Sequence, residues 1–171
     1  GGIVLNSLNG WSPHSGMLSD VDIKKYWKKG INIITSGIDE LPFDLEKQLQ
    51  LGSIDLRFRH EYQRISIAPD QILNYSMLKN HSYTRQDVIS NGYKIVIQPG
   101  EMIQTTTLET VILSNEFAGF ITGRSSFARL GIMIHCCQEF INPGHGQSIP
   151  LQIINMAPCP VELDLRVPIC Q

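Results

Sequence analysis

The densest local group of side chains that could bind an anion lies in the segment GRSSFARLG, residues 123–131. Arg124 and Arg129 offer guanidinium donors, and Ser125 and Ser126 offer hydroxyls between them. Because the apolar run FAGFIT precedes it, the segment is predicted to end a strand and then to form one or two helical turns. The free amides of the first turn, the hydroxyls and Arg124 would together suit a polyphosphate. The alternative is that Ser125 caps a short helix while the arginines are solvated.

The composition makes such a local site necessary for any anionic ligand. The chain has 171 residues, 42% of them hydrophobic, which is enough for one core and predicts a single domain. Its net charge of -2 gives no overall reason to bind nucleic acid or an anionic membrane surface. With no apolar run of membrane-spanning length and no pattern of a signal peptide, a cytoplasmic location is expected. The four cysteines form neither a disulfide framework nor a zinc spacing, so reduced and mostly buried thiols are expected, and no metal site is predicted.

The elements that must position this segment are predicted to be mainly strands. One helix is expected from Asp20, with Ser19 as its N-cap, Leu18 and Ile23 as a hydrophobic staple and Gly30 as its stop. Short apolar runs separated by turn residues then predict an antiparallel sandwich or barrel. These runs are GSIDLRF, YQRISI, YKIVIQPGEMIQTTTLETVIL, FAGFITG, IMIHCCQEFINPG, IPLQIINM and CPVELDL. Within them QPGEM and NPGHG have the composition of turns.

Two stretches lack this regularity. Residues 1–16 carry Gly, Ser, Asn and Pro without periodicity and are predicted to form an N-terminal arm. Residues 70–92 are polar and irregular and are predicted to form an excursion from the β core. The folded domain is therefore expected to span residues 17–171.

Several of these segments together resemble one family. MLSDVDIKKYW, GSIDLRF, QPGEMIQTTTLETVIL, GRSSFARLGIMIH, INPGHGQSIPLQIIN and LRVPICQ occur in the order found in the dCTP deaminase and dUTPase family, and they resemble its dCTP deaminase branch. The resemblance implies a mainly β fold, a distorted β-barrel or jelly roll of the dUTPase-like type, with one N-terminal helix and a short helix after GRSS. It also implies a homotrimer, nucleotide sites at subunit boundaries, and Mg²⁺ bound through the nucleotide triphosphate.

The same resemblance implies roles for individual residues. Arg124, Ser125 and Ser126 match residues that bind the triphosphate and position water, and Arg129 matches an arginine beside the reacting amino group. The backbone from His135 to Gln138, which includes Cys136, matches the segment that reads the pyrimidine edge.

Other positions carry less specific expectations. Asp55 matches an aspartate of the first motif, although a purely structural role at a strand end is equally open. His135 stands between apolar neighbours and is expected to be a structural histidine of the core.

The catalytic positions depart from the family pattern. Deaminases of this type carry a glutamate as general base where this sequence has Gln152, and the dUTPase branch has an aspartate where this sequence has Asn142. A carboxamide can orient water and bind a base edge, but near neutral pH it does not take up a proton and return it. Asn142 could still bind the sugar hydroxyl. Both carboxylates that activate water in the superfamily are thus amides here.

Two further positions bear on the site. His145 stands where the deaminases often have an aromatic residue, and it could stack on a base. With Glu139 it could supply the missing proton acceptor, but nothing in the strand pattern directs Glu139 inward. The sequence stops at PICQ, before the tail that folds over the triphosphate in relatives, so the tail is expected to be disordered or to follow in a longer molecule.

These observations leave two main functions open. The first is hydrolytic deamination of dCTP to dUTP, catalysed at a pyrimidine deoxynucleotide site by Ser125, Arg129 and Gln152. The second is a catalytically impaired sensor or regulatory module that binds dCTP, with dUTP or dTTP as further ligands, and that acts on a partner or fused effector. A purely structural trimerisation module would not need GRSS beside two arginines.

Overall fold

The structure is a computed structural model that describes residues 1–5, 16–35, 41–90 and 92–171. Strands are its main element. They are β1 (Gly2–Leu5), β2 (Ile31–Thr35), β3 (Glu61–Ile65), β4 (Thr84–Val88), β5 (Lys94–Ile97), β6 (Met102–Thr106), β7 (Glu109–Leu113), β8 (Phe117–Phe120), β9 (Ile132–Cys136), β10 (Phe140–Ile141), β11 (Gly146–Gln147), β12 (Pro150–Asn155) and β13 (Val161–Asp164). The helices are α1 (Asp20–Tyr26), α2 (Leu45–Gln48), a 3₁₀ helix (Tyr75–Lys79) and α3 (Ser125–Ala128).

The strands pair antiparallel in small sheets around one apolar core. The largest sheet has five strands in the order β4-β3-β6-β12-β9, and smaller sheets have the orders β1-β8-β10, β11-β7-β2 and β13-β5. Alternation is clear in β12, where Leu151, Ile153 and Asn155 are buried while Gln152 and Ile154 are half-buried. The mainly β class predicted from the sequence is confirmed, together with the N-terminal helix, and the predicted short helix begins within GRSS at Ser125.

Helix α1 begins as predicted and ends earlier. Ser19 Oγ accepts from the Asp22 amide, the Asp22 carboxylate accepts from the Ser19 amide, and both staple residues Leu18 and Ile23 are buried. The prediction that Gly30 stops the helix is wrong, because the chain turns at Lys28, whose φ is 60°. Gly30 is required for another reason: a Cβ there would lie 2.6 Å from Cε2 of Phe117.

The two irregular stretches contain strands. Within residues 70–92, β4 pairs with β3, so part of the predicted excursion belongs to the five-stranded sheet. Within the predicted arm, β1 pairs with β8, whereas residues 6–15 of that arm lie outside the described residues. The predicted strand GSIDLRF contributes single bridges at Ile54, Leu56 and Phe58 rather than a ladder.

A buried ion pair joins the segment GSIDLRF to the start of β7. Arg57 Nε donates to Glu109 Oε1 over 2.7 Å, and the Arg57 amide donates to Glu109 Oε2 over 2.8 Å. Gln48 Nε2 donates to the same Glu109 Oε1 over 3.0 Å. Because Glu109 is fully buried, removing its partner would leave an uncompensated charge, which typically costs about 3–5 kcal/mol.

Candidate functional site

The segment GRSSFARLG forms one short helical turn between β8 and β9. Arg124 is the N-cap of α3, and no side chain caps the turn, so the alternative that Ser125 serves as a helix cap is wrong. The turn ends at Gly131, whose φ of +78° and close approach to Ala157 leave no room for a side chain. A helix of four residues has a weak dipole, so the side chains of the segment are the main donors.

Arg124 is held from two sides. Its amide donates to the Ile169 carbonyl over 2.9 Å, and its Nη1 donates to the Pro168 carbonyl over 3.3 Å. Asp55 Oδ2 lies 3.9 Å from the same Nη1 and accepts from Gln50 Nε2 over 3.1 Å. Asp55 is buried, and its Oδ1 has no hydrogen-bond partner in the described structure. The Asp55 carboxylate thus lies behind Arg124, which itself stays partly exposed.

The other donors of the segment are open to solvent. Ser125, Ser126 and Arg129 are exposed. Their side chains form no hydrogen bond or ion pair with another residue that the structure describes. We call Arg124, Ser125, Ser126 and Arg129 the anion block. Ser125, Ser126 and Arg129 have no intramolecular partner that a ligand would have to displace, whereas Arg124 donates to the Pro168 carbonyl.

Strand β9 carries the segment that was expected to read a base edge. Cys136 is buried, and its thiol lies beside that of Cys170. Interaction with the Cys136 thiol and burial raise the pKa of the Cys170 thiol well above its usual range. Gln138 is half-buried, and the prediction that His135 belongs to the core is wrong, since His135 is exposed.

All four cysteines lie in the described ranges and are free thiols. Cys137 and Cys159 are exposed, so the expectation of mostly buried thiols holds for only half of them.

Gln152 projects from β12 into a groove of about 310 Å³. The floor is the outer face of the five-stranded sheet, and Cys137 and Pro150 lie at one end. Arg59 and Glu61 are the only charged residues among the described ones that line it, and they pair at 3.5 Å. Arg59 Nε is nevertheless buried without a hydrogen bond, because this distance is too long for one.

Glutamines cross this sheet in one row. Gln152 on β12 stands opposite Gln104 on β6, Gln104 opposite Gln63 on β3, and Gln63 opposite Gln86 on β4. We call these residues the glutamine row. On the other side Gln152 faces His135 of β9. Gln152 therefore lies at one end of a row of uncharged amides.

The remaining predicted residues lie on the turns that follow β9. Asn142 is exposed, and its carbonyl accepts from the His145 amide over 3.2 Å. His145 is half-buried, with its Nε2 3.0 Å from the Gln147 carbonyl. Glu139 is exposed and lines a separate cavity of about 230 Å³ that also contains Cys136 and Gly123. Glu139 is therefore not in the groove of Gln152.

The structure thus divides the predicted site residues into separate places. Among the described residues, those lining the groove of Gln152 include none from the anion block. Sequence reasoning did not identify Gln104, Gln63 or Arg59 as neighbours of Gln152, since only strand register brings them together. No group of three or more His, Cys, Asp or Glu residues that could hold a metal occurs within the described ranges. None of the described helices is long and apolar enough to cross a membrane.

Comparison with known proteins decides the family. The family model described as dCTP deaminase-like matches residues 17–171. This chain belongs to the dCTP deaminase-like family. It is 32% identical over 155 residues to a protein of Dictyoglomus thermophilum named dCTP deaminase, dUMP-forming, covering 91% of this chain and 77% of that one. It is 30% identical over 148 residues to a dCTP deaminase of Haloarcula marismortui, covering 86% and 73%.

A solved structure supports the fold. A crystal structure of 2'-deoxycytidine 5'-triphosphate deaminase from Agrobacterium tumefaciens matches with a TM-score of 0.66 at 18% identity, over 91% of this chain. The match covers 47% of that protein, so this chain spans about half of its length.

Proposed function

We propose that this member of the dCTP deaminase-like family binds pyrimidine deoxynucleoside triphosphates and deaminates dCTP slowly or not at all. The single observation that carries the proposal is the contrast between the solvent-accessible donors of the anion block and the amide at Gln152. The side chains that suit a triphosphate are present, and the carboxylate that suits proton transfer is absent from position 152. This chain therefore keeps the residues for nucleotide binding and lacks the one for efficient proton transfer.

The triphosphate is assigned to the anion block. Arg124 offers charge-assisted hydrogen bonds, and the Ser125 and Ser126 hydroxyls add neutral donors. Asp55, behind Arg124, restricts the rotamers of that arginine, so less entropy is lost on binding. Mg²⁺ would arrive with the triphosphate and neutralise part of its charge. The arginines and hydroxyls of the block fit a ligand whose metal is held by its own phosphates.

The site is proposed to lie between copies of the chain in a homotrimer. The anion block and the groove of Gln152 do not share lining residues within one chain, and the outer face of the five-stranded sheet carries few charges around the groove. Depletion of charge is typical of interface cores. We expect the anion block of one copy to face the Gln152 groove of the next. Light scattering after size exclusion should give about three times the mass of the chain, and a monomer at micromolar concentration would contradict this part of the proposal.

The slow chemistry follows from the properties of an amide. Hydrolytic deamination adds water at C4 of the cytosine, moves a proton to the exocyclic nitrogen and releases ammonia, leaving a uracil. Gln152 can accept a hydrogen bond from the water but does not take its proton and pass it on. Arg129 would lie beside the departing amino group, and Asn142 would bind the sugar hydroxyl.

The test combines binding with product analysis. Protein, Mg²⁺ and dCTP are incubated, binding is measured by calorimetry, and nucleotides and ammonia are quantified. Micromolar binding with little ammonia supports the proposal, and rapid ammonia release contradicts its kinetic part. The nucleotide product also distinguishes dUTP from dUMP, the product that the name of the Dictyoglomus relative states.

An enzyme with a different base is the second candidate. Glu139 lies in the cavity beside Cys136 and Gly123, next to the anion block, and is a free carboxylate at the surface. If dCTP is deaminated at a rate that Glu139→Gln abolishes, Glu139 takes the role of the family's glutamate.

A further inference from the structure

The neighbours of Gln152 are uncharged and offer both donors and acceptors. Gln104 stands directly opposite it, and residues opposite one another in antiparallel strands have Cβ atoms about 4.5–5.5 Å apart. Gln63, Gln104 and Gln152 are half-buried, and none of their side chains forms a hydrogen bond with another described residue. Half-buried amides without partners are available to a polar ligand in the groove.

An amide reads the two common pyrimidine edges equally well. Cytosine presents an amino donor at C4 and an acceptor at N3, whereas uracil presents an acceptor at C4 and a donor at N3. A carboxamide has one acceptor and one donor side by side, so a half-turn of its terminal bond matches either edge. A carboxylate only accepts, so a single contact at the C4 substituent suits the cytosine amino group and opposes the uracil oxygen, and it is this contact at C4 that distinguishes a carboxylate from an amide at position 152.

Gln104 decides whether Gln152 can make that half-turn. An acceptor-only neighbour would hold the amino group of Gln152 towards itself and favour one orientation. Gln104 is itself an amide that offers both a donor and an acceptor, so it can rotate with Gln152 and favours neither orientation. Gln63 stands opposite Gln104 on the next strand and is also an amide, so it does not fix the orientation of the Gln104 side chain.

We propose that Gln152, supported by Gln104 as a positioning residue, makes the site nearly indifferent to cytosine and uracil, so that it binds dCTP and dUTP with similar affinity. This inference rests on the proposed function, because it concerns the same nucleotide site. The occupancy of the site would then depend on the summed concentration of dCTP and dUTP rather than on dCTP alone.

The test is the ratio of the dissociation constants for dUTP and dCTP, measured by rapid mixing so that binding is complete before turnover. In the natural sequence we expect the two constants to agree within about threefold, since one amide serves both edges. Gln152→Glu should raise the ratio about tenfold or more in favour of dCTP, because the uracil oxygen would face a carboxylate. Gln104→Glu should shift the ratio about fivefold or more, because it fixes one orientation of the Gln152 amide. Gln71→Glu adds the same charge on an exposed loop and should leave the ratio unchanged.

The outcomes separate this inference from the proposed function. If dCTP binds more than about 30-fold tighter than dUTP, or if Gln152→Glu and Gln104→Glu both leave the ratio unchanged, the indifference is overturned while nucleotide binding stands. If neither nucleotide binds the folded protein, the proposed function fails and this inference fails with it. A thermal melt of each variant confirms that it is folded, and the Gln104→Glu result decides the matter if Gln152→Glu does not fold.

Discussion

The anion block and the glutamine row are two polar regions of one molecule with opposite character. The anion block is charged and solvent-accessible, with Asp55 behind Arg124, whereas the glutamine row is neutral and crosses the five-stranded sheet, half-buried except for the exposed Gln86. Under the proposed function the anion block binds the phosphates and Gln152 lies beside the base. On that assignment, phosphate recognition and water activation depend on separate parts of the fold, so one can be lost while the other persists.

The largest expected effect comes from restoring a carboxylate in the glutamine row. Gln152→Glu changes little volume, and a placed general base typically contributes about 10²- to 10⁴-fold to a rate. We expect ammonia release from dCTP to rise within that range when the two proteins are compared at matched saturation. If Asn142 misplaces the sugar, the rise should require Asn142→Asp as well.

The matched control for this substitution is Gln152→Leu, which removes the amide without adding a base. It should not raise the rate. If the natural protein releases ammonia rapidly and Gln152→Glu lowers that rate, another residue is the base. The proposed difference between the anion block and the glutamine row would then be wrong.

Substitutions in the anion block should act on binding. Arg124→Ala removes charge-assisted hydrogen bonds worth about 1.5–3 kcal/mol, so triphosphate affinity should fall roughly 10- to 150-fold. Ser125→Ala should also weaken binding, by a smaller factor. The measurement is the shift of the melting temperature caused by dCTP, converted to affinity by titration.

Arg85→Ala is the control for this loss of charge, because Arg85 is an exposed arginine on β4 that pairs with Asp87. The Arg85→Ala protein should show the same dCTP-induced shift of the melting temperature as the natural sequence. If Arg124→Ala and Ser125→Ala also kept that shift, the anion block would be no more than a short surface turn.

Asp55→Asn tests how far triphosphate binding by the anion block depends on the contact between Asp55 and Arg124. The carboxylate is 3.9 Å from Arg124, so its loss should free the guanidinium and weaken triphosphate binding about two- to tenfold. A positioning role predicts that Asp55→Asn has no further effect once Arg124→Ala is present, in a double-mutant cycle. Additive losses in that cycle would mean that Asp55 acts independently of Arg124.

The sequence predicted the positions of strands and helices better than it predicted which strands pair with one another. Apolar alternation located β5 to β9 and β12, and the Ser19 capping box located the start of α1. It missed β4, because TRQDV has almost no apolar residue and its strand is formed through pairing with β3. The end of α1 was missed because a lysine, not a glycine, adopts the left-handed turn.

For the site, motif positions identified the anion block and Gln152 directly. The glutamine row was out of reach, because its members lie on strands far apart in the chain and only the register of the sheet aligns them. The exposure of His135 was also unexpected, since which face of β9 is buried depends on how its sheet packs.

The smallest effect is expected at Glu139. It lines a cavity separate from the groove of Gln152, so Glu139→Gln should change any residual deamination by less than about twofold, far below the loss of a general base. The rate is measured with saturating dCTP, and Glu116→Gln, at an exposed residue of the turn between β7 and β8, is the control. A large loss of deamination rate in Glu139→Gln but not in Glu116→Gln would show that the general base is Glu139, beside the anion block, and not a residue of the five-stranded sheet.

The central claim, that this chain binds dCTP without converting it efficiently, is tested most directly by a single-turnover experiment. Excess natural protein is mixed with dCTP and Mg²⁺, the bound nucleotide is separated, and its base and phosphates are identified by chromatography over time. We predict that the nucleotide is retained by the protein and remains dCTP while Gln152→Glu, treated identically, yields a uracil nucleotide. Rapid appearance of dUTP or dUMP in the natural protein, or failure to retain dCTP at all, would contradict the claim.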